Sequence, residues 1–565
     1  MPKIEVSEKP FFNLVGKKLG KEELIDILCG AKAELDDWDE DKGILKIELN
    51  DTNRPDLWST AGLGRQIRIL LGADIPEYNF FSSKEEHKNY GERVIKVDKG
   101  LKNIRPYISA FAAKGKAIDE SFLIDIIQSQ EKICGNYGQR RKSIAMGVYR
   151  ADLIRYPVQY RAADPENTCF IPLGLSQKLS LKQILEKHPK GVEFSWIVKH
   201  FPQFPFLEDA EKNVLSFPPI INSSTLGALE VGDSYLFIEL TGTNIESLHL
   251  ATSIIACDLA DFGYEILPVK VEYPYDTPFG REIVTPYYFQ KEISMDVTYA
   301  SKLLGDKFSC EEAAASIKKA GSLVKVKGND IILTPPYYRN DFLHSVDVIE
   351  EIMIGKGMDN FKPKMPEDYT IGRLCPTETF SRRVREIMVG LGFQEMIYNY
   401  LGSRKDFIDK MRVDDTNFIH IQNPMTENYA IVRKSIFPNL LSSESVSANA
   451  VYPHKIFEIG KVAFINPKEN YKSETCNFLA LLVANKTTDF NDVNSIVSAI
   501  FFYISKDYTL KEIKDKRFIP GRTAQIYSNG NIAGIMGEFH PEVLLNWGIQ
   551  IPCCGVEINL DILLI

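Results

Sequence analysis

Apolar and polar positions follow two rhythms along this chain, and the places where one gives way to the other mark out its parts. Period-two alternation predicts strands over residues 3–6 and 44–49, and helical spacing predicts helices over 21–28 and 60–71. Between the second strand and the second helix runs Asn53-Arg54-Pro55-Asp56. Asx residues and proline suit a turn there, Ser59 or Thr60 suits a helix N-cap, and Gly72 suits the helix stop. Residues 75–92 are polar and read as a linker or an exposed excursion. From 93 to 275, strands at 108–114, 234–240 and 269–275 alternate with helices at 122–135 and 245–262. That order predicts one large α+β domain.

Residues 285–360 change pattern again. Helices at 298–304 and 310–320 precede a hairpin, 323–327 and 331–334, turned by Gly328-Asn329-Asp330. Ser309 and Glu312 form an S-x-x-E capping box, and Gly321 ends the helix. Two helices and a hairpin in this order resemble a winged helix. A proline-bearing linker follows at 359–372. The remainder predicts a helix at 378–391 and strands near 395–401, 455–461, 477–484, 524–528, 532–537 and 555–559, an antiparallel sheet with flanking helices. The expected architecture is a multidomain α+β chain: an N-terminal α/β unit at 1–85, a large α+β domain at 93–275, a winged-helix-like domain at 285–362 and an antiparallel-sheet module at 373–565.

The densest candidate chemistry lies directly after the hairpin. Asp341, Asp347, Glu350 and Glu351 place four carboxylates within eleven residues at the entry to a helix. Mg²⁺ takes hard oxygen ligands, and one helical turn can present Asp347, Glu350 and Glu351 on a single arc of about 100°. Asp341 lies off that arc and would reach in from the loop or cap the helix. Phe342, Val346, Ile349 and Met353 form a separate apolar stripe, so spacing alone favours a solvated acidic face beside a buried one.

Composition narrows the classes. The chain has 565 residues, 44% hydrophobic and 25% charged, as in ordinary globular proteins, and is long enough for several domains. No apolar run approaches the ~20 residues that span a bilayer, and Met1-Pro2-Lys3-Ile4-Glu5-Val6 has no signal-peptide core, so a cytoplasmic protein without membrane contact is expected. Nine scattered cysteines without a C-x-x-C pair predict reduced thiols rather than zinc. A net charge of −9 argues against a chain that holds nucleic acid mainly by its own phosphate contacts. The basic window from 132 to 155, with Arg140, Arg141 and Lys142, would make any such contact local. H-E-x-x-H, G-x-S-x-G and a true phosphate loop are absent.

Taken in order, several segments carry a resemblance: Asn53-Arg54-Pro55-Asp56-Leu57, Pro218-Pro219-Ile220-Ile221-Asn222-Ser223, Thr241-Gly242-Thr243, Tyr338-Arg339-Asn340-Asp341, Asp347-Val348-Ile349-Glu350-Glu351, Phe457-Glu458-Ile459-Gly460 and Gly534-Ile535-Met536-Gly537. Together they resemble the family of phenylalanyl-tRNA synthetase β subunits, over nearly the whole chain. The length resembles the archaeal and eukaryotic type. The resemblance implies an (αβ)₂ heterotetramer whose α subunit joins phenylalanine to tRNA(Phe) with ATP. It implies a class II synthetase-like C-terminal module with no aminoacylation residues, used for docking. It implies Mg²⁺ at Asp341, Asp347, Glu350 and Glu351. It also implies an editing domain that hydrolyses mischarged Tyr-tRNA in a pocket edged by Asn222, Ser223, Glu239, Thr241 and Thr243. A catalytically inactive RNA-binding or scaffolding paralogue is the alternative.

Overall fold

The computed structural model describes Pro2–Leu564, and the chain divides into two units, residues 1–364 and 365–565. The division falls inside the stretch read from sequence as a linker.

The first unit holds three main sheets. A small antiparallel sheet orders Lys3–Ser7, Ile44–Leu49 and Ala33–Asp39. Helix Glu8–Val15, which the period analysis missed, buries Phe11, Phe12, Leu14 and Val15 beneath it. The ten-stranded sheet has Tyr235–Gly242 between Tyr107–Lys114 and Ile144–Arg150, paired antiparallel to both. Helix Ile245–Asp261 is buried almost all round, which is why its apolar residues show little amphipathic contrast. The third sheet joins Ile293–Asp296 to the hairpin Leu323–Lys327 and Asp330–Thr334, with helix Cys310–Ala320 held at its start by the Ser309–Glu312 capping box. Helix Ser345–Lys356 packs on that helix at Gly355.

Residues 75–92 depart from the exposed excursion read from sequence. Tyr78 and Phe81 are buried, and Phe81 stacks on Tyr337 at 4.3 Å. Polar neighbours hid these two anchors in a window average.

The second unit is built on a seven-stranded sheet ordered Gln394–Glu395, His454–Ile465, Ser473–Ala484, Cys553–Asn559, Asn531–Phe539, Phe518–Ser528 and Thr509–Glu512. All its pairs are antiparallel except Gln394–Glu395 against His454–Ile465. Helices Pro376–Gly390 and Phe490–Ile504 cover one face, where Val384, Leu481, Val497 and Val556 form the core. The expected strand at 395–401 is instead two short ones: Gln394–Glu395 here and Leu401–Gly402 in a separate three-stranded sheet.

Candidate functional site

Glu239 sits mid-strand in Tyr235–Gly242, opposite Ala110 on one side and Gly147 on the other. Strand alternation sends Ile238 and Leu240 into one core and turns Glu239 to the opposite face, which it shares with Phe237. Both flanking residues are small, and the glycine is required. A Cβ on Gly147 would lie 2.0 Å from Tyr149 Oη and 2.7 Å from Glu239 Oε1. A cavity of about 370 Å³ opens beside them, lined by Glu239, Asn222, Gln130, Arg141 and the Phe217–Ile221 backbone turn.

The Glu239 carboxylate is 2% exposed. Tyr149 Oη donates to Oε1 at 2.8 Å, whereas Oε2 has no partner among the described residues. Burial raises the Glu239 pKa to about 7, against the opposing pull of Tyr149, of Arg105 and of the Ser216 hydroxyl that faces the carboxylate. A half-satisfied carboxylate, buried and poised near neutrality, is costly to the fold and ready for a donor from outside.

The five residues expected at this pocket separate into two sets. Asn222 lines it with Glu239, its Oδ1 3.5 Å from Tyr149 Oη. Ser223 is buried behind the wall, where its hydroxyl accepts from Leu226 N–H at 3.2 Å and closes a turn. Thr241 is also buried and is bound by Arg105, whose Nε donates to Thr241 Oγ1 at 2.9 Å and whose Nη2 donates to Thr241 O at 2.6 Å. Thr243 is exposed, and its backbone N–H donates to Ser143 O. The structure therefore gives these three framework contacts: Ser223 closes a turn, Thr241 is held inside its strand by Arg105, and Thr243 is tied through its backbone to Ser143.

Sequence reasoning missed Tyr149, Arg105 and Gln130, which carry no local motif. Arg141 did leave a signal, the basic window. Its guanidinium donates to Ile220 O at 2.9 Å and lies 4.4 Å from the Phe194 ring, so it clamps the pocket wall. Gln139, Arg140 and Arg141 all have positive φ, which holds this clamp in a left-handed turn.

The four carboxylates expected to share Mg²⁺ are not gathered into one centre. Arg339, 3% exposed, takes two of them: Nε and Nη2 donate to both oxygens of Asp341 at 3.0 and 2.8 Å, and Nη1 and Nη2 to both oxygens of Glu351 at 3.0 and 2.9 Å. Burial would raise Asp341, but the Arg339 charge outweighs it and holds the pKa at about 2. Asp347 is the N3 residue of a capping box with His344 and accepts the Leu343 and His344 N–H groups, each at 2.7 Å. Glu350 pairs with Lys32 at 2.8 Å. Among the described residues no three His, Cys, Asp or Glu side chains group to hold a metal ion. The residues present do not fit a shared Mg²⁺ centre, because a guanidinium occupies the place between Asp341 and Glu351. Equal spacing along a helix placed the carboxylates on one arc but could not show which cations lay beneath it.

The same Arg-x-Asp device recurs in the first motif. Arg54 chelates Asp56 at 2.9 and 2.8 Å and reaches Gln66 at 3.1 Å, whose amide donates to Ala320 O. Arg65 pairs with Asp258 and Asp261 and lies 4.0 Å from the Tyr338 ring. Three buried arginines thus tie the N-terminal segment, helix Ile245–Asp261 and the segment 338–351 together.

Comparison with known proteins follows this geometry. Residues 293–358 match the family described as "tRNA synthetase B5 domain", and residues 362–560 match "Phenylalanyl tRNA synthetase beta chain CLM domain". The phenylalanine–tRNA ligase beta subunit of Borrelia garinii is 50% identical over 565 residues, covering 99% of both chains. That of Borrelia recurrentis is 48% identical over the full length of both. A solved N-terminal fragment of the beta subunit from Pyrococcus horikoshii covers 63% of this chain and 99% of its own, at 36% identity and a TM-score of 0.58. The full-length relatives are bacterial, so they do not support the archaeal and eukaryotic type expected from chain length. With half its residues shared from end to end, the chain belongs to the phenylalanine–tRNA ligase beta-subunit family.

Proposed function

We propose that this chain works as the non-aminoacylating subunit of a phenylalanine–tRNA ligase and that its Glu239 pocket removes tyrosine misattached to tRNA(Phe). The partner is an α subunit in an (αβ)₂ assembly, which binds ATP and phenylalanine and performs the charging. Residues 1–85, 93–275, 285–362 and 373–565 serve as N-terminal, editing, winged-helix-like and docking domains. Among the described residues no helix is long and apolar enough to cross a membrane. The proposed compartment is the cytoplasm.

The observation that carries the editing reading is the free oxygen of Glu239. A tyrosyl side chain entering the cavity brings a phenolic O–H that donates to Oε2. Phenylalanine brings no donor and leaves the buried carboxylate unpaired. A site built to hydrogen-bond a hydroxyl discriminates strongly against the analogue that lacks it. Tyr149 fixes the carboxylate, and Arg141 fixes the wall opposite. Mg²⁺ stays the proposed cofactor of the ligase as a whole, and none of these steps needs it at Asp341.

The test is deacylation of preformed Tyr-tRNA(Phe) by the α–β complex. Glu239→Ala is expected to slow it at least tenfold while leaving Phe-tRNA(Phe) synthesis within about twofold, the loss of one charge-assisted hydrogen bond. Equal rates would remove Glu239 from the mechanism. No hydrolysis by the wild-type complex would favour the scaffolding alternative.

A further inference from the structure

The C-terminal unit contains a cavity that docking does not explain. Its seven-stranded sheet has one face covered by helices. The other face, across Ser473–Ala484, Cys553–Asn559 and Phe518–Ser528, forms the floor of an open space of about 580 Å³. Residues 407–438 form its roof. Phe407, Phe418, Phe464 and Phe478 all line it, so aromatic surface faces the space from both floor and roof. Ligand cavities of this size, mostly apolar with a few convergent polar groups, are where small molecules bind.

The polar groups specify the ligand. Lys434 is half-buried at the wall, and no carboxylate lies within ion-pair distance of it among the described residues. Its only hydrogen bond is to Thr416 O at 3.3 Å, and Nζ lies 4.8 Å from the Phe418 ring. Burial and the neighbouring Arg517 charge both press its pKa down. The carboxylates around it are already engaged. Asp515 is chelated by Arg517 at 3.0 and 2.8 Å. Glu557 accepts from the Ser435 hydroxyl and from the N–H groups that begin helix Phe437–Ser445. Glu474 accepts from Asn466, and Asp414 faces Lys516. The side-chain amides of Gln525 and Asn559 have their carbonyls occupied, by Tyr527 Oη and Asp561 N–H; the Gln525 NH₂ has no partner among the described residues, and the Asn559 NH₂ faces the Cys476 thiol at the cavity wall.

We propose that this cavity binds a small aromatic anion, a planar ring between the phenylalanine walls with its carboxylate or phosphate on Lys434 and the two amide donors. Aromatic faces hold the ring by stacking, and the unpaired ammonium selects the charge. The site is independent of the Glu239 pocket and lies in the other unit.

Two sources share this chemistry, an aromatic amino acid and a nucleoside monophosphate, and the experiment separates them. The full α–β complex is photolabelled with 4-azidophenylalanine in one arm and 8-azido-AMP in the other, and labelled peptides are mapped, because the α subunit carries sites of its own. Label within residues 405–438 or 513–535 of this chain is expected in one arm, competed by the unmodified ligand. Lys434→Met keeps the side chain's length and apolar body and is expected to reduce that label roughly tenfold, the worth of a charge-assisted contact. Gln525→Leu, which touches no charge, should reduce it several-fold and guards against a folding artefact in the first variant. No label in these peptides with either probe, or label unchanged in Lys434→Met, would overturn the proposal.

Discussion

At the scale of single residues, one side chain holds the chemistry and its neighbours set its state. Glu239 is raised to about 7 by burial, and only one of its oxygens is bonded. The ionised form accepts a phenolic hydrogen bond more strongly than the neutral acid does. As pH rises from 6 to 8 the carboxylate passes from mostly protonated to mostly ionised. Hydrolysis of Tyr-tRNA(Phe) should therefore climb roughly tenfold over that range, beyond any general alkaline increase seen with Phe-tRNA(Phe). Glu239→Gln should flatten the extra rise, since an amide does not titrate there. A pH profile of the two deacylation rates, wild type against variant, checks this. A parallel rise for both substrates would mean that the phenol does not meet Glu239. Gly147 belongs to the same residue-level design, since a side chain there would occupy the space taken by Tyr149 Oη and Glu239 Oε1.

At the scale of elements, close approaches fix what the hydrophobic pattern alone leaves loose. Helices Cys310–Ala320 and Ser345–Lys356 touch at Gly355, where an added Cβ would fall 1.8 Å from Ser316 O. The obstacle is backbone, so one helix must move. Gly355→Ala should destabilise this pair by about 1–3 kcal/mol or more, as overpacking does. Amide exchange over residues 310–320 and 345–356 should quicken, while residues 453–484 of the other unit stay unchanged; undisturbed exchange in both helices would contradict the packing account. Such elements were legible to different degrees. The Ser309–Glu312 box, the hairpin and helix 310–320 were readable because each is local chemistry. Helix Glu8–Val15 was not, since a short segment ending in Phe11, Phe12, Leu14 and Val15 shows too few turns for a period. Strand alternation pointed to Glu239 and a family motif to Asn222, and both line one cavity. Tyr149 and Arg105 were not, because their partners are 90 and 136 residues away and meet them only across a sheet.

At the scale of the whole molecule, the four-carboxylate segment belongs to a buried joint rather than to an isolated site. Arg339 binds Asp341 and Glu351, Arg54 binds Asp56 close enough to feel both Arg339 and Asp341, and Arg65 holds helix Ile245–Asp261 through Asp258 and Asp261. A buried ion pair adds little over a well-packed apolar pair, but removing one partner strands the other charge and costs about 3–5 kcal/mol. Arg339→Met should therefore loosen residues 53–66 and 338–352 together, seen as faster amide exchange and proteolysis in both, without touching residues 453–484. The pH sign follows from Asp341, whose depressed value makes its contribution present above the ordinary carboxylate range and lost as pH falls towards about 2. The joint should accordingly keep its protection at pH 5 and lose it progressively in stronger acid. A chelator tests the same geometry from the other side. If Arg339 supplies the positive charge at Asp341 and Glu351, EDTA should leave exchange over 338–352 unchanged in the wild-type complex while Arg339→Met accelerates it. Acceleration by EDTA matching that of the variant would show instead that a divalent cation, and not the guanidinium, holds these carboxylates in place.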